Sequence, residues 1–308
     1  MKNQVDEDLQ LLQHLTTEAA DVRFANIDRM SVAELASTMN DADAEVPAAV
    51  HRALGQLVPA IEASVLRMER GGRLVYVGAG TPGRIGVLDA SESPPTFDTR
   101  PGQVTAIMAG GRDALTSPQE GAEDDVEAGV AAMDEADVGP LDTVVGIASS
   151  GRTPYVVAAV RRARERGALT VGLACNEDTP LSRESEYPVE VLVGPEVVSG
   201  STRLKAGTAQ KLVLNMFSTI VMVRLGKTYG NLMVDLRASN DKLRERAVRI
   251  VCTITGEPRS AAVAALEQTE YAVKPAVVLL VFGVSASQAQ ARLDRAGGHL
   301  RAALEDRE

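Results

Sequence analysis

The chain has 308 residues, of which 45% are hydrophobic and 24% charged, and its formal net charge is -10. This composition is ordinary for a folded globular protein, and the negative charge disfavours broad attraction to nucleic acid or to an anionic membrane. The longest strongly apolar run, 276–284, is far shorter than the roughly 20 residues of a membrane span, and no signal-peptide core opens the chain. We therefore expect a cytoplasmic protein without nucleic-acid or membrane partners.

Cysteine and histidine are scarce and scattered. The two cysteines, Cys175 and Cys252, lie far apart, and three histidines are spread along the chain. This spacing fits no zinc or iron site, so we expect no bound metal. With only three scattered histidines, a Ser-His-Asp triad is also disfavoured, so acid and base catalysis should depend on carboxylates.

The first 45 residues are predicted to form a helical extension. Within it, Ser31 and Glu34 have the spacing of a capping box. Apolar residues then recur at three- and four-residue steps from Val46 to Met68, which predicts one long amphipathic helix ended by the Gly-Gly pair that follows.

Short runs rich in β-branched residues come next, separated by helical segments. Continuous apolar runs are typical of strands buried on both faces, and strands alternating with helices predict an α/β fold with a doubly wound parallel sheet. The runs are 73–78, 103–110, 143–149, 169–175 and 189–193. Ligands of such sheets bind beyond the carboxyl ends of the strands, so the function should lie in the loops that follow them.

The α/β domain is predicted to span 46–235, and a small helical appendage is predicted at 236–308. A long apolar helix from about Thr202 to Leu225 is expected to be central to the domain. The apolar run Pro275–Gly283 fits a buried helix or a strand, and its helical neighbours favour a helix.

The first candidate binding segment, Gly78–Arg84, follows a strand and opens a helix. Backbone N–H groups and the helix dipole in such a turn can hold an anion. A dinucleotide fingerprint would also need an acidic residue at the end of a second strand about 20 residues on, which this chain lacks. A glycine turn without a ligand is the alternative, and we favour a phosphate or sugar site.

The second candidate segment, Ser149–Pro154, also follows a strand. Ser149, Ser150 and Thr153 supply hydroxyl groups, and Pro154 suits the first position of a helix. Helix capping alone would use only one hydroxyl, so we favour a phosphate cradle.

The third segment, Gly200–Lys211, enters the long helix. Arg203 and Lys205 fall in its first turn, where cations oppose the helix dipole. An anion must offset that cost, and a ligand and a neighbouring carboxylate remain equally open.

Glu92 and Glu123 are the candidate acid–base carboxylates. Glu92 is expected where two prolines end a short helix. Ser117 and Glu120 have the spacing of a capping box, whereas Glu123, one turn further on, has no such structural role. Glu92 could instead be a solvated glutamate at the helix end. The arginine-rich stretch 161–166 is interpreted as a solvated helix face rather than a nucleic-acid site.

Four segments together resemble the N-acetylmuramic acid 6-phosphate etherases, lyases of the sugar-isomerase (SIS) superfamily. They are GAGTPGRIGVLDASESPP at 78–95, EGAED at 120–124, IASSGRTPYV at 147–156 and STRLKAGTAQKLVLNM at 201–216. The resemblance runs in order from about Thr16 to Leu304. It implies a SIS-type fold and conversion of N-acetylmuramic acid 6-phosphate and water to N-acetylglucosamine 6-phosphate and D-lactate in cell-wall sugar recycling. It also implies a homodimer that needs no cofactor.

The same resemblance assigns catalysis to Glu92 and Glu123. Opening of the sugar ring exposes an aldehyde that acidifies the C2 proton, so we assign Glu123 as the base at C2 and Glu92 as the acid that protonates the departing lactate. The implied phosphate and sugar contacts are Gly80, Thr81, Ser149, Ser150, Gly151, Thr153 and Ser201, with Arg203 and Lys205 serving the phosphate or the lactyl carboxylate.

Two departures from the family pattern stand out. Pro82 replaces a common serine, which shifts phosphate binding toward Thr81 or the second segment. Residues 18–26 lack the polar pattern that the family has there. This departure argues against a contribution of the N-terminal arm to the site.

Two rival functions remain. A phosphosugar isomerase could use the same loops and one glutamate base to move a carbonyl between C1 and C2. A phosphosugar sensor could bind without turnover, although no N-terminal helix-turn-helix with a basic face is present. Release of lactate would separate an etherase from both.

Overall fold

The computed structural model describes residues 15–236, 238 and 240–305. The chain divides into two compact units, one of residues up to 91 with 102–217, and one of residues 92–101 with those from 218 onward. The division into 1–45, 46–235 and 236–308, which follows chain order, stays a prediction.

The described part of the N-terminal extension is only partly α-helical. It contains two 3-10 turns, Val22–Phe24 and Ile27–Arg29, and helix α1, Val32–Asp43. The predicted capping box of α1 is confirmed, because Ser31 Oγ accepts from the Glu34 N–H while the Glu34 side chain accepts from the Ser31 N–H. Residues 1–14 of the extension lie outside the described residues.

The single long helix predicted from 46 to 68 is wrong, because the chain forms two helices there. Helix α2 spans Val46–Arg52 and α3 spans Leu54–Glu69, with Ala53 between them at φ -85° and ψ -2°. The Ala53 N–H bonds to the residue three positions back. The apolar period therefore runs through both helices, although the helix itself is interrupted at Ala53.

A parallel five-stranded sheet forms the core of the first unit, which confirms the predicted α/β class. Its strands are β1 Leu74–Gly78, β2 Val104–Met108, β3 Thr143–Ile147, β4 Leu169–Ala174 and β5 Tyr187–Glu190. Their order is β2-β1-β3-β4-β5. Every residue of β1, β3 and β4 is buried, as their continuous apolar runs predict. The last strand begins two residues earlier than predicted.

Helices connect and cover these strands. They are α4 Gly80–Phe97, α5 Val126–Glu135, α6 Pro154–Glu165 and α7 Pro180–Glu184, followed by the long helix α8, Lys205–Arg224. The helix α8 confirms the predicted long helix. On one face of the sheet, buried side chains of β1 and β3 pack with those of α5 and α6.

The second unit contains a two-stranded antiparallel ribbon and a set of short helices around their own core. These are β6 Thr228–Tyr229, β7 Leu232–Met233, α9 Asp241–Thr255, α10 Arg259–Gln268, α11 Val273–Phe282, α12 Ala286–Arg295 and α13 Leu300–Glu305. The ambiguous apolar run is helix α11, as favoured. Among the described residues no single helix has the length and apolarity to cross a bilayer. Only α11 and α12 together, bent by 106°, meet those criteria.

Candidate active site

The strand order creates a crevice between the carboxyl ends of β1 and β3. These strands are neighbours in register, with Gly78 opposite Ile147. The chain leaves β1 toward β2 on one side, whereas β3 and the later strands lie on the other side. In an open sheet of this order, 2-1-3-4-5, a ligand site forms where the connections diverge. The first and second candidate segments therefore follow adjacent strands at the same edge.

The first loop is a tight turn into α4. Gly80 is exposed and has a φ of 54°, a conformation that suits glycine. A Cβ atom on Gly78 would come within 2.7 Å of the Gly83 nitrogen, so the turn depends on its small residues. Thr81 is half-buried, and its Cγ2 lies 3.5 Å from the Cβ position of Gly207 on α8. The first loop is thus packed against the N-terminal part of α8.

The second loop is held by amide side chains from elsewhere in the chain. Ser149 is only 5% exposed. Its Oγ accepts from Gln210 Nε2 at 2.9 Å, and its carbonyl accepts from Asn176 Nδ2 at 3.1 Å. Gly151 has a φ of 67°, and a Cβ there would come within 2.4 Å of the Thr179 side chain. These contacts place the loop firmly beyond β3.

The hydroxyl groups of the second loop are not consumed by helix capping. Thr153 precedes α6, and its side chain makes no capping bond. The Tyr155 N–H, one of the open donors of that helix end, instead donates to the Glu123 carbonyl at 3.0 Å. Ser150 is half-buried, and its Oγ accepts from the Arg152 N–H at 3.2 Å. Thr153 and Ser150 thus retain hydroxyl hydrogens to donate.

Glu123 lines a cavity of about 410 Å³ together with the first loop. Gly80 and Arg84 contribute to its wall from α4, and Glu120 and Glu123 contribute from the segment before α5. Both glutamates are exposed. The structure therefore brings the predicted residues Gly80 and Glu123 together around one cavity, and the hydrogen bond from Tyr155 holds the Glu123 backbone beside the end of the second loop.

The capping box predicted at Ser117 and Glu120 is wrong. Helix α5 begins at Val126, and the Asp125 side chain accepts from the Ala128 N–H instead. Gly121 adopts a φ of 73°, which ends any helical path directly after Glu120.

Glu92 lies on α4 and is exposed. The predicted helix end at the two prolines is wrong, because α4 continues through Pro94 and Pro95 to Phe97. Proline removes helix hydrogen bonds but does not forbid a helix when packing compensates. Here Ser93 and Phe97 are both buried on the continuing helix.

A buried carboxylate one turn before Glu92 secures α4. Asp89 is 5% exposed, and its two oxygens accept from the Tyr76 hydroxyl at 2.7 Å and from Asn215 Nδ2 at 2.7 Å. These bonds join α4 to β1 and to α8. The DASE segment, residues 89–92, is thereby anchored at its first residue.

The anion that offsets the cations before α8 is a protein carboxylate. Glu196 is 1% exposed, and its oxygens accept from the Lys205 and Ala206 N–H groups at 2.9 Å each. Lys205 is fully buried, and its Nζ donates to the Val193 carbonyl at 2.7 Å and lies 3.7 Å from a Glu45 oxygen. Neighbouring carboxylates are therefore present here, and ligand contacts of Arg203 and Lys205 stay a prediction.

The other two candidates on this loop remain accessible. Ser201 is half-buried, with its N–H bonded to the Val198 carbonyl at 2.9 Å, and Arg203 is exposed.

The N-terminal arm contacts Asn176, the residue that holds the second loop, within the same chain. Asn176 bonds to the Ser149 carbonyl and also donates to Thr17 Oγ1 at 3.1 Å, while Thr16 Oγ1 donates to the Asn176 carbonyl oxygen at 2.9 Å. The Gly200 N–H donates to the Thr17 carbonyl at 3.2 Å. The arm thus bonds to the loops that follow β4 and β5, and Asn176 links it to the loop after β3.

Sequence reasoning missed Asn176, Glu196 and Gln210. Asn176 follows the end of β4 at the ligand edge, so its position was a usable signal. Glu196 and Gln210 carried none, because each acts through a contact made in the folded chain. Among the described residues no cluster of His, Cys, Asp and Glu could hold a metal ion, and both cysteines are free thiols.

Three family models match the chain. Residues 56–164 match the N-terminal SIS domain of glucokinase regulatory protein, and residues 124–220 match the SIS domain. Residues 230–277 match the C-terminal lid domain of glucokinase regulatory protein. These matches agree with the SIS-type α/β fold.

Curated relatives are similar over nearly the whole chain. A Rubrobacter xylanophilus protein is 57% identical over 293 residues, covering 95% of this chain and 97% of the relative. A Streptomyces coelicolor protein is 56% identical, covering 95% and 94%, and a Mycolicibacterium smegmatis protein is 51% identical, covering 95% and 98%. Each of the three relatives is named N-acetylmuramic acid 6-phosphate etherase.

Proposed function

Because this chain belongs to the N-acetylmuramic acid 6-phosphate etherase family, we propose that Glu123 and Glu92 divide the base and acid work of its reaction. The chain is a carbon–oxygen lyase of cell-wall sugar recycling. It cleaves the D-lactyl ether of N-acetylmuramic acid 6-phosphate, with water, to N-acetylglucosamine 6-phosphate and D-lactate. This membership favours the etherase over the isomerase and sensor alternatives.

The proposed reaction begins with removal of the C2 proton by Glu123. The open-chain aldehyde at C1 makes this proton acidic enough for a carboxylate base. Elimination then breaks the bond between C3 and the ether oxygen, and Glu92 protonates that oxygen so that D-lactate leaves. Water adds at C3 by the reverse proton transfers. Glu92, which gives its proton to the ether oxygen in the elimination, thus acts as the base that deprotonates the attacking water.

Two observations together support Glu123 above the other carboxylates. Its side chain lines the cavity that Gly80 borders, and its own backbone carbonyl is bonded to the Tyr155 N–H just beyond the second loop. A phosphosugar anchored by these loops would lie beside a glutamate whose backbone is held by that hydrogen bond. Proximity of this kind is a large part of enzymatic rate enhancement.

We assign phosphate binding to the loops after β1 and β3. The proposed donors are Gly80, Thr81, Ser149, Ser150, Gly151 and Thr153. The first N–H groups of α8 already bond to Glu196, so the helix end itself is occupied by a protein anion. In this proposal Ser201 and Arg203 contact the ligand from the loop before α8, while buried Lys205 supports that loop.

Assembly and location are part of the same proposal. The family resemblance supports a homodimer, which light scattering coupled to size-exclusion chromatography would measure. Phosphorylated sugars do not diffuse through membranes, so we place the reaction in the cytoplasm.

The test is turnover of N-acetylmuramic acid 6-phosphate in deuterated water, with D-lactate release and C2 exchange followed by NMR. The wild-type protein should release lactate and introduce deuterium at C2. Glu123→Gln should abolish both processes. Glu92→Gln should still exchange the C2 proton while elimination falls by about 100-fold or more, since general acid catalysis contributes roughly that much.

Glu120→Gln is the matched control, because this glutamate lines the same cavity. It should change lactate release by less than a few-fold. Exchange that persists in Glu123→Gln, or a Glu120→Gln variant with the larger defect, would show that the base is assigned to the wrong residue.

A further inference from the structure

Arg84 is a cation in the cavity that holds Glu123. It lies in the second turn of α4, is half-buried, and lines the cavity together with Glu120 and Glu123. Sequence reasoning assigned it no role beyond membership of the first loop. Two carboxylates therefore share the cavity with one guanidinium.

The guanidinium is held in place along one edge only. Arg84 Nε donates to the Leu115 carbonyl at 3.0 Å and Nη2 donates to the Ala114 carbonyl at 2.8 Å. Within the described part of the chain, Nη1 has no hydrogen-bond partner and no carboxylate forms an ion pair with Arg84. The side chain is thus oriented by two neutral carbonyl acceptors rather than by an ion pair.

The substrate brings an anion to this position. Its lactyl group is attached at C3, next to the C2 atom that Glu123 is proposed to deprotonate, so the lactyl carboxylate must lie within a few ångströms of that glutamate. A third negative charge near Glu120 and Glu123 would be repelled unless a cation compensates it. The open edge of a guanidinium matches the geometry of a carboxylate.

We infer that Arg84 binds the lactyl carboxylate and makes the enzyme selective for the muramyl substrate. The same cavity wall contains Met108 and Ala114, apolar groups that suit the lactyl methyl group. The inference rests on the proposed position of C2 beside Glu123. N-acetylglucosamine 6-phosphate has the same phosphate and ring but no lactyl group, so its binding does not involve this contact.

The experiment compares Arg84→Gln with the wild-type protein on two ligands. For N-acetylmuramic acid 6-phosphate, kcat/KM from D-lactate release should fall by about 10- to 100-fold, mainly through KM, as expected for a lost charge-assisted contact. The inhibition constant of N-acetylglucosamine 6-phosphate should change by less than about two-fold. Equal losses for both ligands would mean that Arg84 only supports the 3-10 turn Arg112–Leu115. No loss for either ligand would also overturn the inference.

A substrate analogue gives a test that does not depend on folding of a variant. An analogue with the lactyl carboxylate converted to an amide should bind the wild-type protein more weakly by the same factor, and Arg84→Gln should no longer distinguish acid from amide. Arg112→Gln, at an exposed arginine nearby, should retain the full discrimination. A wild-type protein that binds acid and amide equally would refute the contact. Failure of the Glu123 assignment would appear separately, as C2 exchange in Glu123→Gln.

Discussion

Replacement of Glu196 by glutamine tests whether a buried carboxylate secures the loop before α8. The two Glu196 oxygens accept the Lys205 and Ala206 N–H groups at 2.9 Å each. Glutamine has nearly the same shape but keeps only one acceptor oxygen. Its amide NH2 group would face the second N–H, so one buried donor would lose its partner.

The expected cost follows from these contacts. A lost charge-assisted hydrogen bond costs about 1.5–3 kcal/mol and an unpaired buried N–H about 1–3 kcal/mol. Removal of a buried negative charge offsets part of this loss, because the charge no longer has to be desolvated. We expect Glu196→Gln to lower the free energy of unfolding by about 2–4 kcal/mol.

Urea denaturation followed by circular dichroism measures this difference. Glu177→Gln is the control, because Glu177 is an exposed glutamate of the same unit and should have an effect within about 0.5 kcal/mol. If Glu196→Gln were as stable as that control, the carboxylate would not stabilise the helix end, and the reasoning from its two hydrogen bonds would be refuted.

Three further predictions concern the second loop and the cysteines. Gly151→Ala places a Cβ 2.4 Å from the Thr179 side chain at a φ of 67°, so kcat/KM should fall at least about 10-fold; unchanged steady-state kinetics would contradict this. Gln210→Met removes the donor to the second-loop serine, and calorimetry should show N-acetylglucosamine 6-phosphate binding weakened about 5- to 10-fold; an unchanged Kd would exclude a positioning role. Burial raises the pKa of the Cys175 thiol to about 12. Iodoacetamide at about pH 8 should therefore label Cys252 in the native protein and Cys175 only after unfolding. Labelling is measured by mass spectrometry, and labelling of Cys175 in the native protein would overturn this prediction.

Parts of the fold were predictable because local patterns agree with the tertiary environment. The continuous apolar runs predicted the buried strands β1, β3 and β4, and the Ser31 and Glu34 spacing predicted a real capping box. Predictions failed where two local sequence signals favoured different backbone conformations. The spacing of Ser117 and Glu120 suggested a helix start, but Gly121 in a left-handed conformation ends the path.

The sequence by itself determined the α/β class, the loops that follow the strands at the ligand edge, and a family whose chemistry needs two carboxyl groups. Only the tertiary structure decided which polar groups are already engaged. Glu196 occupies the end of α8, and Gln210 bonds to Ser149 from 61 positions away in the chain. It also placed Arg84 in the wall of the cavity that Glu123 lines. The physical reason is that the partner of a polar or charged group is set by distances between segments that are remote in sequence. Strand and helix patterns, in contrast, depend on residues that are neighbours in the sequence.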